Sequence, residues 1–193
     1  IKKIEEEQRA EKEVKLPGFE IRKTERLIEL PEVKDPTKLN VTYPLIEPFA
    51  HASIRWDERE KTIMYNVIEP SLSEREKDLF KKISDALVEL IEVKFTKATD
   101  MKALIEYLKE KVLKILKDFG IKLSSTEFSK IMYYIYRDFV GYNELEPLLN
   151  DPNIEDISCD GAGIPFYIIH RKYGNLKTNV VIDDVDRLRD LVI

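Results

Sequence analysis

Between Tyr136 and Gly174 the hydrophobic period of the chain switches from helical to strand-like, which argues against both an all-α and an all-β fold. Up to Gly141 apolar residues recur at three- and four-residue steps. Glu144–Asn150 adds one short helix, and Asp151-Pro152-Asn153 breaks it, because proline fixes φ and restrains the residue before it. Ile154–Ser158 then reads as a strand. Asp160-Gly161-Ala162-Gly163 is a loop, Pro165–His170 an apolar strand, Arg171–Gly174 a turn, and residues 175–182 the hairpin partner. Asp183-Asp184 caps a last helix that begins at Val185.

Upstream, three amphipathic helices are expected. The first is capped at Ser71 or Ser73, with Ile83, Leu87 and Leu90 on its stripe. The second is capped by Thr99-Asp100, carries Leu104, Leu108, Val112 and Ile115, and closes at Gly120. The third starts at Ser124 or Ser125 and buries Phe128, Ile131, Met132 and Ile135. Before them, Ala52–Trp56 and Lys61–Ile68 alternate around the polar turn Asp57-Glu58-Arg59-Glu60. That pattern predicts a β-hairpin, stopped by Glu69-Pro70. Residues 1–15 are nearly all charged, and Pro17-Gly18, Pro31 and Pro36 interrupt the next stretch, so residues 1–40 are expected as a flexible charged segment. The expected organisation is α+β: residues 41–140 as a hairpin with a three-helix layer, and residues 141–193 as a small αβ sandwich with an antiparallel hairpin.

Composition narrows the function. Of 193 residues, 36% are charged and the formal net charge is −5, which argues against a nucleic-acid backbone as the main partner. Cys159 is the only cysteine, so no intrachain disulfide can form; this fits a reducing cytoplasm. No apolar run approaches the roughly 20 residues of a membrane helix. Gln8 is the only glutamine among abundant Lys, Glu and Ile, a balance suited to high temperature. The chain opens on Ile1 and stops at Ile193 inside an apolar pattern, so a fragment of a longer protein is expected.

Chemistry-bearing patterns are sparse. No phosphate-binding loop ending in Gly-Lys-Ser/Thr occurs, and Gly161-Ala162-Gly163 reads as a tight turn. His51 and His170 lack convergent partners in the sequence, and Cys159 lacks a companion thiol. Glu155 and Asp156, adjacent in a strand, point to opposite faces and do not converge on a metal. The feature left open is the turn His170-Arg171-Lys172, expected to face a subunit interface or a phosphate. No catalytic, cofactor or metal residue is assigned.

Gly141, Leu145, Pro147-Leu148-Leu149, Asp151 and Ile154-Glu155-Asp156-Ile157, followed by the hairpin around Gly174, resemble the N-terminal domain of type II/type IV secretion ATPases. Tyr43-Pro44-Leu45 and Tyr65-Asn66-Val67-Ile68-Glu69-Pro70 are similar to the archaeal branch that powers archaella and related pili. The resemblance runs from Tyr43 to Ile193. It implies a cytoplasmic hexameric ATPase at the inner face of the membrane, with Mg-ATP bound by a C-terminal core beyond this chain. This chain would be its inactive, moving N-terminal domain, with the archaellum motor preferred over a pilus or secretion motor. Implied partners are its own ATPase core, neighbouring subunits, a polytopic membrane platform protein and archaellum accessory proteins. Two other readings stay open: a stand-alone protein-protein adaptor domain, and a small-molecule enzyme, which is disfavoured because no nucleophile, base or metal set converges.

Overall fold

A computed structural model describes residues 18–91 and 100–192. The fold is α+β, with one seven-stranded sheet in the order β1-β2-β3-β4-β7-β6-β5. The strands are β1 (Arg22–Lys23), β2 (Asn40–Glu47), β3 (Ala50–Asp57), β4 (Thr62–Ile68), β5 (Ile154–Ser158), β6 (Tyr167–His170) and β7 (Gly174–Thr178). The helices are α1 (Glu74–Leu90), α2 (Met101–Asp118), α3 (Ser125–Phe139), the single turn α4 (Glu146–Leu149) and α5 (Val185–Val192).

The hairpin expected before the helices is β3–β4, and β2 adds a third antiparallel strand. Alternation decides which face is buried. Ala52 and Ile54 on β3, Tyr65 and Val67 on β4, Ile168 on β6 and Leu176 on β7 point into the core, while Arg55, Ile68, Ile169 and Asn175 point out. The helices cover the inner face, and their stripes join the strands in one hydrophobic cluster that includes Ile83, Leu108, Val112, Phe128 and Ile131.

Local chemistry explains the helix ends. Ser73 and Ser124 each form a capping box, with Glu76 and Glu127 reaching back to the cap backbone. Asp100 caps α2; Thr99, expected to cap with it, lies outside the described residues, as do residues 1–15. Gly120 takes φ +63° after α2, and the Ile121 N–H returns to the Leu116 carbonyl. Gly141 is needed for space: a Cβ there would lie 2.7 Å from Glu146 Cδ and 2.8 Å from the Arg137 carbonyl oxygen.

Two expectations meet a different outcome. The boundary expected near residue 141 falls inside one sheet, because β7 pairs parallel with β4 through Met64–Lys177 and Tyr65–Thr178. The flexible segment expected through residue 40 is corrected from Gly18 onward. Phe19, Leu30 and Leu39 are buried in the core cluster, and β1 pairs with β2. Proline and charge patterning missed this because three separated apolar anchors leave no periodic trace.

Candidate functional site

The parallel β4–β7 junction is short, and side chains complete it. The Asn179 amide accepts from the Val67 N–H at 2.8 Å and donates to the Val67 carbonyl at 3.0 Å, so a side chain continues the ladder where the backbone stops. Beneath it lies a polar cluster drawn from four places in the chain. Tyr43 on β2 and Tyr65 on β4 both donate to Asp151 Oδ2, at 2.6 and 2.7 Å. The other oxygen of Asp151 accepts from the Asn153 backbone and side chain at 2.8 and 3.2 Å, which folds the Asp-Pro turn.

His170, at the end of β6, closes the cluster. Its Nδ1 accepts from the backbone N–H groups of Lys172 and Tyr173, both at 3.2 Å. The ring proton therefore belongs on Nε2, which lies 3.3 Å from the Tyr43 hydroxyl. Burial, reinforced by the charge of Asp151, pushes the Tyr43 and Tyr65 phenols well above their ordinary range. Burial also lowers the pKa of His170, against the opposing pull of Asp151. The cluster is thus a carboxylate held by two neutral phenols, beside a neutral imidazole. Every member is buried, so the arrangement braces the sheet and offers no nucleophile to solvent.

The turn expected to face a partner is split by this geometry. His170 is 1% exposed and points inward, which corrects its assignment to an interface. The Lys172 ammonium donates to the Leu30 carbonyl, an internal contact. Arg171 and Lys172 are both exposed; Arg171 has a side chain 53% exposed, with its Nε 3.8 Å from Glu155 Oε1. Glu155 and Asp156 are both exposed at a bulge in β5, where Ile154 and Asp156 pair with His170 and Ile169. His51 sits half-buried on β3 beside Pro44 and Ile68. The Cys159 thiol donates to the Gly161 carbonyl and packs against the core, and Asp184 caps α5 through the N–H groups of Asp186 and Arg187. Among the described residues no group of three or more His, Cys, Asp or Glu side chains is placed to hold a metal. No described helix is long and apolar enough to cross a membrane.

A second ionic group fixes α5. Arg137, buried on α3, donates to both oxygens of Glu69 at 3.0 and 3.1 Å and to Asp138 at 2.8 Å. Burial opposes its charge, yet Glu69 and Asp138 outweigh that and hold it charged. Arg187 on α5 meets Glu144 at 2.9 Å and Asp138 at 3.9 Å, while Leu188 and Leu191 pack against the core. Nearby, Glu146 gathers Lys23, Tyr136 and Asn150 around one buried carboxylate.

Sequence reasoning missed Tyr43, Tyr65, Asp151, Asn153 and Asn179. The available signal was tyrosine on the apolar face of two strands, since a buried phenol needs a partner for its hydroxyl.

No protein-family model matches the chain. It is 38% identical over 144 residues, 75% of its length, to the uncharacterized protein MJ1288 of Methanocaldococcus jannaschii, of which 57% is matched. It is 29% identical over 181 residues, 84% of its length, to the uncharacterized protein MJ0900 of the same organism, of which 32% is matched. The chain thus spans just over half of the first relative and under a third of the second.

Proposed function

We propose that this chain is the non-catalytic N-terminal domain of an archaeal hexameric ATPase of the type II/type IV secretion class, with an archaellum motor as the preferred member. The observation that carries the reading is the attachment of α5. Arg187 ties that helix to Glu144 and Asp138, and its apolar stripe lies on the core. Anything connected through α5 would move with the sheet and helical layer as one body, which is what a lever in an ATP-driven motor requires. The larger unmatched part of MJ0900 supports a further domain beyond such a body. Mg-ATP would bind in that C-terminal core. The domain would work in the cytoplasm at the inner face of the membrane, against neighbouring subunits, a polytopic platform protein and archaellum accessory proteins. Arg171, exposed and paired with Glu155 at 3.8 Å, is the residue of its turn that would meet a neighbouring subunit or a phosphate.

Three measurements test this. The purified chain is expected neither to bind nor to hydrolyse ATP, and measurable turnover would overturn the reading. The coding sequence beyond Ile193 is expected to contain a glycine-rich loop ending in Gly-Lys-Ser/Thr. In the full-length protein Arg171→Gln is expected to lower ATPase activity or assembly without lowering the melting temperature.

A second reading, an adaptor domain with no ATPase core, is favoured by one observation. The unmatched part of MJ1288 is shorter than the matched part, which leaves little length there for a motor core. Absence of the phosphate-binding loop downstream would select the adaptor.

A further inference from the structure

The His170 turn also grips a segment far away in sequence. The Lys172 ammonium donates to the Leu30 carbonyl, and the Tyr173 hydroxyl donates to the Pro31 carbonyl at 2.9 Å. The Tyr173 ring stacks on the His170 ring with centroids 5.0 Å apart. Residues 24–39 form a strap between β1 and β2. Thr24 fastens one end to the Pro44 and Leu45 carbonyls, and buried Leu39 fastens the other. Its middle is held by Leu30, by half-buried Ile28 and Val33, and by the two side chains of the turn.

We propose that His170 is an acid-sensitive clasp: protonation of its ring opens the 170–173 turn and frees the middle of the strap while the helical core stays closed. The geometry sets the mechanism. Nδ1 has one lone pair in the ring plane, and it is shared between the Lys172 and Tyr173 N–H groups. A proton on Nδ1 removes that acceptor and turns two attractions into repulsions. The turn that presents Lys172 and Tyr173 to the strap then loses its internal support. The groups facing His170 are Asp151 of the Asp-Pro turn, Tyr43 of β2 and Tyr173 of its own turn. Tyr65 of β4 reaches it only through the shared Asp151 oxygen. Asp151 favours the protonated ring, but the Tyr43 hydroxyl, which donates to that carboxylate, stands between them.

The sign is set by linkage. Burial holds His170 below its ordinary value of 6.5 in the closed form. The opened form, with a solvated ring, therefore binds more protons, so opening is favoured as pH falls below about 6.5. The proposal stands independently of the motor reading.

The test is hydrogen exchange on the whole chain at pH 7.5 and 5.5, corrected for intrinsic exchange rates. Peptides covering residues 28–34 and 171–174 are expected to lose protection at the lower pH, by up to about tenfold, the limit that one proton sets one pH unit below an ordinary histidine value. Peptides from α2 are expected to hold theirs. In His170→Asn, the Asn Oδ1 can accept the same two N–H groups but cannot titrate, so the strap's protection is expected to become flat with pH. Equal pH dependence in the wild type and in His170→Asn would overturn the proposal. So would a parallel loss in the α2 peptides. If the Asn variant does not fold, an NMR titration of the wild type decides: the Leu30 and Glu32 amides must shift with the same midpoint as the His170 ring.

Discussion

In the helical layer Ile83, Leu87, Leu108, Val112, Phe128 and Ile131 meet as apolar side chains, and polar contacts are added at the caps and where Lys130 and Tyr133 of α3 reach Glu76 and Glu69. Where β4 meets β7 the materials are reversed. Tyr43, Tyr65, Asp151, Asn153, His170 and Asn179 join elements 86 to 127 residues apart through directed hydrogen bonds. Apolar burial is non-directional, so the layer tolerates small shifts and its losses stay local. A buried carboxylate with four donors has no such tolerance, because each partner removed leaves another unsatisfied. The difference teaches that the helices supply bulk stability, while the polar seam makes one body out of two half-sheets.

The largest expected effect therefore lies at the seam. Asp151→Ala strands two buried phenols and unfolds the Asp-Pro turn, and should cost about 3–5 kcal/mol in urea denaturation. Removing the phenols as well, in Tyr43→Phe/Tyr65→Phe/Asp151→Ala, should cost less than the sum of the separate changes, since no phenol is then left unsatisfied and only the Asn153 donors and the His170 Nε2 lose partners. A strictly additive result would mean that the seam is no more coupled than the layer.

That contrast also explains what could be read from the chain beforehand. Helix stripes, the Ser73 cap, the end at Gly120, the β3–β4 hairpin and β5 all have local signatures of fewer than twenty residues, and each stands where the pattern puts it. The seam has none. Nothing near Tyr43 shows that its hydroxyl will meet Asp151, 108 residues on. The same blindness misdirected the reading of His170. A histidine beside Arg171 and Lys172 in a hairpin turn looks exposed, yet strand alternation turns it to the inner face with Ile168, while Arg171 and Lys172 stay exposed.

A middle-sized effect belongs to the junction of the two regions. Gly141→Ala drives a methyl group into the Glu146 side chain and the Arg137 carbonyl, and the Glu146 carboxylate cannot retreat without loosening Lys23, Tyr136 and Asn150. A loss of about 1–3 kcal/mol is expected from this overpacking. Within the layer, Ser124→Ala removes only a cap and should cost about 1 kcal/mol. The comparison breaks if the cap change equals or exceeds Asp151→Ala.

The smallest effect separates the regions by pH. Glu76, at the first turn of α1, is held down to about 2 by a hydrogen bond from Lys130 and by the Ser73 backbone N–H. A carboxylate lowered in the folded state stabilises fully above its ordinary value of 4.5, and that stabilisation fades as pH falls toward 2. The buried His170 is lowered as well, but for a base this means destabilisation that begins below about 6.5. Between pH 6.5 and 4.5, then, the seam should weaken while the Glu76–Lys130 contact is untouched. The urea midpoint of Glu76→Gln should fall below wild type by the same amount at pH 7 and pH 5, and the gap should close toward pH 2. If instead the gap shrinks between pH 7 and pH 5, the layer is titrating in the window assigned to the seam, and the two regions are not the separate systems their chemistry implies.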